Sequence, residues 1–167
     1  MKKIVLTIWI SVAFSMSAVA YNQVRLVINS GISNPDLKQQ MERAVSSVMT
    51  HINEAQEKNV AKLELPQPYI TKEAWQELNR LWENEHFRCV EEEIVERLLT
   101  TRTGYQVRSI PLIVNTANKG EELGYQEAVI NFNEKGVITS FYYTINPELY
   151  SRLRMTQMSD KRFEVTD

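Results

Sequence analysis

The sequence predicts an α+β fold: N-terminal helices, one long amphipathic helix plus two shorter, packed on a C-terminal antiparallel meander of about three strands, with a short C-terminal helix. Three observations predict it. Apolar residues recur at helical spacing in three segments between about residues 35 and 102. After Gly104 the period drops to two. Helices and strands are each apolar on one face, so each half has a surface that the other can bury.

Residues 22–29 alternate, with Val24, Leu26 and Ile28 on one side and Arg25 and Val27 on the other. They read as a short strand or an ordered leader. Asn34, Pro35 and Asp36 then start a helix: Asn34 caps, Pro35 suits the first helical position, and Asp36 meets the positive end of the dipole. The helix runs to about Glu57, with an apolar stripe of Leu37, Met41, Ala44, Val45, Val48, Ile52 and Ala55. Pro66 and Pro68 keep residues 63–68 extended as a linker.

Thr71 caps the second helix, and Ile70 and Trp75 have the spacing of a hydrophobic staple. Trp75, Leu78 and Trp82 share a face, and Asn84 or Glu85 interrupts the helix. A third helical stretch carries Phe87, Val90, Ile94, Val95, Leu98 and Leu99, with Gly104 as its stop. Residues 105–114 are strand-like, and Pro111 indicates an edge position or a bulge. A polar loop at 117–124 precedes a strand at 125–132 with Ala128, Ile130 and Phe132 on one face. Asn133 to Gly136 form a turn in which Gly136 suits a positive φ. Residues 137–145 follow as a strand with Phe141, Tyr143 and Ile145 on one face, and the last two strands pair as an antiparallel hairpin. Asn146-Pro147-Glu148 opens the final short helix with Leu149 and Leu153.

Residues 1–20 read as a signal peptide. Lys2 and Lys3 are the positive n-region, 4–14 are apolar except for Thr7 and Ser11, and Ala18-Val19-Ala20 is a small-x-small cleavage site. The apolar run falls short of the ~20 residues of a spanning helix. Residues 21–156 then form a single α+β domain, and 157–167 a polar tail or truncated linker. Losing both lysines takes the formal charge from -2 to -4. The expected location is exported: periplasm, cell envelope or secreted, with no stable membrane span after cleavage.

Composition removes several function classes. Asp+Glu total 21 against 19 Lys+Arg, which disfavours a polybasic nucleic-acid binder. Charged residues at 24% and hydrophobic residues at 43% fit an ordinary folded chain and not a disordered tail. Cys89 is the only cysteine, so no intrachain disulfide forms and the thiol should be buried. The chain has five glycines and no phosphate loop, dinucleotide fingerprint or G-x-S-x-G, so no cofactor is expected.

Candidate chemistry is sparse. His86 and Cys89 are three apart, which on a helix puts them on one face as a thiolate-generating pair. The plainer reading is a small core cysteine beside Phe87 and Val90, with His86 exposed. His51 with Glu54, or His86 with Glu92 and Glu93, are too few ligands for a zinc site. Glu91, Glu92 and Glu93 read as an acidic first helical turn rather than as general acids. No catalytic and no metal-binding residue is therefore assigned. Aromatic side chains offer the remaining route to binding, and Trp75, Trp82, Tyr105 and Tyr142 are the candidates for a ligand pocket or partner surface. Tyr142 stands out because Phe141 and Tyr143 should face the other side of the sheet.

Two blocks carry a family resemblance. They are Leu81-Trp82-Glu83-Asn84 with Phe87-Arg88-Cys89, and residues 104–112 followed by 125–132 and 141–145. Together they resemble the N-terminal region of uncharacterised exported proteins of Bacteroides-type bacteria, over about residues 37–153. In longer members this region is often followed by a cone-shaped NTF2-like (SnoaL/cystatin-like) domain. The resemblance implies an envelope location and brings no catalytic residue with it. The reading is a non-catalytic binding or scaffolding module whose partner is an envelope protein or a downstream domain. A homo-oligomer through the Tyr142 face is a further option. The alternative is a small-ligand-binding protein or enzyme with a pocket between helices and sheet, using Trp75, Trp82, Tyr105 and Cys89.

Overall fold

Asn34 begins the first helix as its chemistry requires. Its side-chain oxygen accepts from the Asp36 and Leu37 amides at 3.1 and 3.2 Å, and α1 (Pro35–Glu57) follows. Met41, Ala44, Val45, Val48, Met49 and Ile52 are fully buried along one face. Thr71 Oγ1 accepts from the Ala74 amide at 3.3 Å to start α2 (Lys72–Trp82), which buries Ala74, Leu78 and Trp82. These elements belong to a computed structural model that describes residues 23–144. The expected signal peptide, the expected final helix from Asn146 and the expected tail from 157 lie outside the described residues.

No third helix forms over residues 85–100. The stretch through Phe87 to Leu99 is instead strands: β1 (Arg25–Ser30) precedes α1, and after α2 come β2 (Glu85–Cys89), β3 (Glu93–Arg97) and β4 (Leu99–Thr100). Then come β5 (Gly104–Thr116), β6 (Glu122–Asn133) and β7 (Ile138–Thr144). This overturns the expected architecture of N-terminal helices on a three-strand meander. Among the described residues, more lie in strands than in helices, and two helices pack on a curled antiparallel sheet. The reason is tertiary. Phe87, Val90, Ile94 and Val95 suit a pleated surface as well as a helix face, and their partners in β1 and β5 are remote in sequence. Glu91 and Glu92 accordingly lie in the β2–β3 connection, and Glu93 opens β3 and pairs with Arg25 at 3.6 Å. They are not a helical first turn.

The main sheet has the order β2-β5-β6-β7, with β4 pairing the start of β5. It curls strongly. Phe87 of β2 lies 5.9 Å from Phe141 and 5.3 Å from Tyr143 of β7, between ring centroids, although two strands separate them in the sheet. The β6–β7 hairpin and its turn match expectation, with Gly136 at φ 78. Pro111 lies in an internal strand, so the bulge alternative holds: β5 breaks register between Val107 and Ile110, where Ser109 takes φ 66. Gly104 begins β5 rather than ending a helix. A Cβ there would lie 2.0 Å from the Phe132 carbonyl oxygen.

A second sheet pairs β1 and β3 in parallel. Among the described residues the other edge of β1 meets no strand. The amides of Val24, just before the strand, and of Leu26 and Ile28 within it donate to Thr50 Oγ1, Ser46 Oγ and Glu42 Oε1 of α1 at 3.1, 3.0 and 2.9 Å. Two residues of strand advance about 6.6 Å and four of helix about 6 Å, so the two rows stay in step. Asn53 extends the row to β2, accepting from the Cys89 amide at 2.8 Å and donating to its carbonyl at 3.4 Å. One helix thus presents an apolar stripe to the core and a polar row to two strands.

Ser46→Ala removes the acceptor of a partly buried amide. It should lower stability by about 1–3 kcal/mol in urea unfolding, whereas Ser47→Ala next to it should stay within about 0.5 kcal/mol.

Candidate functional site

The Cys89–His86 pair does not form. Both residues lie on β2, where positions three apart point to opposite faces. Cys89 turns into the core, 3% exposed, and its thiol donates to the Glu91 carbonyl at 3.4 Å. Burial pushes the thiol up from 9.0 to about 11, the opposite of an activated nucleophile. His86 stacks on Trp82 with centroids 4.1 Å apart and planes 15° from parallel. It is buried, not exposed as the sequence suggested, and desolvation lowers its pKa, so the neutral ring is favoured.

The four aromatic candidates are not brought together. Trp82 is fully buried, its indole N–H donating to the Val60 carbonyl at 2.9 Å. Trp75 donates in the same way to Leu63, at 2.9 Å, and Asn79 one turn on accepts from the Leu63 amide at 2.8 Å. Trp75, Asn79 and Trp82 therefore clamp the linker between the helices, which satisfies backbone that the two prolines keep irregular. Tyr105 is half-buried against the core, opposite Phe132. Tyr142 is 43% exposed on the face away from the core, as its neighbours implied. Tyr143 packs inward, where its hydroxyl donates to the Glu85 carboxylate; burial first and that carboxylate second push its pKa up.

Among the described residues, two surface grooves of about 450 Å³ each stand out. One lies along β1 and α1 and is lined by Arg25, Arg43, Ser47, His51 and Tyr69. The other lies along α2, lined by Lys62, Lys72, Trp75, Asn79, Arg80 and Glu83, with Lys62 Nζ 6.0 Å from the Trp75 ring centroid. Neither is the helix–sheet pocket that the ligand-binding alternative needs, and only Trp75 among the candidates lines either one. His51 bonds its own helix through Nδ1, 2.7 Å from the Ser47 carbonyl. Among the described residues, no group of three or more His, Cys, Asp or Glu side chains could hold a metal ion. Among them, too, no helix is long and apolar enough to cross a membrane.

One polar centre escaped the sequence reading. Glu127 is 6% exposed and accepts from the Ser109 amide at 2.8 Å and its hydroxyl at 3.4 Å, with Arg108 Nε 3.9 Å away. The carboxylate thereby satisfies the bulge whose φ is unfavourable for serine. Its signal was a glutamate next to the apolar run Ala128-Val129-Ile130, but the bulge opposite it was not legible.

No family model, curated protein or solved structure matches the chain.

The buried thiol fixes a pH dependence. The neutral form is favoured in the fold, so the contribution is complete below pH 9.0, the unfolded value, and is lost as pH rises through about 11. Unfolding free energy of the native chain should fall more steeply over that window than that of Cys89→Ala. At pH 8 the native thiol should react with a maleimide at least ~100-fold more slowly than in urea, because its thiolate is scarce and enclosed.

Proposed function

We propose that this chain is a non-catalytic binding or scaffolding module exported to the bacterial envelope, in the periplasm, at the surface or in the medium. One observation carries the non-catalytic part: the groups capable of chemistry are used to hold the fold. The Cys89 thiol donates to the Glu91 carbonyl, His86 stacks on Trp82, Glu85 accepts from Tyr143, and Glu127 caps a bulge. Export rests on the Lys2-Lys3 n-region, the apolar run after it and Ala18-Val19-Ala20.

The groove along α2 is the binding surface that the geometry favours. Trp75 offers a rigid aromatic lip, and Lys62, Lys72 and Arg80 outnumber Glu83 around it. That chemistry suits an acidic segment of an envelope protein, steered by charge and anchored by the ring. The alternative of a ligand pocket or active site between helices and sheet has less room, since Met41, Met49, Trp82, Phe87 and Phe132 fill that space.

The test is capture from envelope extracts on the tagged full chain. A retained protein should be lost at least 10-fold by Lys62→Glu combined with Arg80→Glu, at unchanged melting temperature. Repeated failure to retain any protein, together with a measurable turnover by the same preparation, would sink the proposal.

A further inference from the structure

One edge of β1 is closed by helix side chains rather than by a strand, and the closure leaves a groove. Ser46 Oγ and Thr50 Oγ1 accept from the Leu26 and Val24 amides at 3.0 and 3.1 Å, and both residues line the groove of about 450 Å³ along β1 and α1. Each hydroxyl still carries its own proton, and among the described residues neither donates it. A hydroxyl that already accepts from an amide is the better donor to a further partner. Arg43, Ser47 and His51 follow Glu42, Ser46 and Thr50 by one residue each. They form a second row at one-turn spacing, and they line the same groove.

The groove is thus lined by donors. Arg43 is exposed and takes part in no ion pair among the described residues. Across from it, Arg25 faces Glu93 at 3.6 Å with side chains 75% and 58% exposed, a pair that water already weakens. His51 Nδ1 lies 2.7 Å from the Ser47 carbonyl; a carbonyl only accepts, so Nδ1 carries the proton and Nε2 is the nitrogen left over. Among the described residues no Asp or Glu lines the groove, and Val24 and Tyr69 add apolar surface beside the donors. The volume suits a small molecule. We propose that this groove binds a small organic anion. Its carboxylate or phosphate is taken by Arg43, His51 and the hydroxyls of Ser46, Ser47 and Thr50, and its apolar body lies against Val24 and Tyr69. The site does not rest on the α2 groove.

Titration of the full chain with phenyl phosphate and with benzoate, followed by amide NMR in about 0.1 M salt, tests it. At least one should bind with Kd at or below about 1 mM, and the shifts should centre on Val24, Ser47 and His51. The tighter of the two names the head group. Benzylammonium, of similar size and opposite charge, should not bind there. Arg43→Gln combined with His51→Gln should weaken the tighter probe at least about 10-fold at unchanged melting temperature, since both side chains are exposed. Should that variant melt early, Ser47→Ala is the second arm, with a several-fold loss expected. Lys62→Gln combined with Arg80→Gln, in the other groove, should change the affinity by less than about 2-fold. The proposal is overturned if neither anion binds at about 10 mM. Equal binding of benzylammonium, an affinity that the intact groove variants leave unchanged, or a loss caused by the Lys62 and Arg80 changes overturns it as well.

Discussion

The polar row on α1 is the interaction on which the fold depends. Among the described residues β1 has one strand partner, β3, and three amides along its other edge point at the helix. An unpaired edge is costly when buried and prone to pairing with other chains when exposed. Glu42, Ser46 and Thr50 answer those amides at a spacing of one helical turn, and Asn53 does the same for Cys89 of β2. Because the strand's two-residue step nearly equals the helix's four-residue step, the match extends over three contacts without strain. The helix therefore sets the position of the small parallel sheet and of one edge of the main sheet together.

Curling follows from the same economy. A helix with one apolar stripe cannot cover a flat sheet of this width. The sheet closes around it instead, and Phe87, Phe141 and Tyr143 meet across the concave side. The β5 bulge helps by adding residues to one strand and increasing local twist. It leaves the Ser109 amide pointing at Glu127, so a carboxylate on the outer face is the consequence of curvature rather than of chemistry. The same holds for the two tryptophans of α2, whose indole donors tie down the linker carbonyls of Val60 and Leu63.

Much of this was legible locally. Asn34 and Thr71 announce both helix starts, since a cap needs only neighbouring residues. The β6–β7 hairpin was legible too, because Gly136 and the alternation around Phe132 and Phe141 are local signals. The stretch from Phe87 to Leu99 was not. Its apolar residues satisfy two periods, and what decides between them is Val114 opposite Phe87 and Leu26 opposite Ile94. With the wrong period, His86 and Cys89 seemed to share a face; on a strand they part. Among the binding candidates, Tyr142 was placed correctly by alternation alone, whereas the burial of Trp82 depended on contacts that no window contains.

By itself the sequence determined the two helix starts, the apolar stripe of α1 and the β6–β7 hairpin, because each is a matter of residues within one or two turns of each other. Only the tertiary structure decided that residues 85–100 are strands, that Cys89 is sealed, that α1 carries a polar ladder for β1, and that Glu127 is buried at a bulge. Those outcomes depend on amides and side chains brought together from distant parts of the chain, and hydrogen-bond satisfaction across such distances leaves no periodic mark in the sequence.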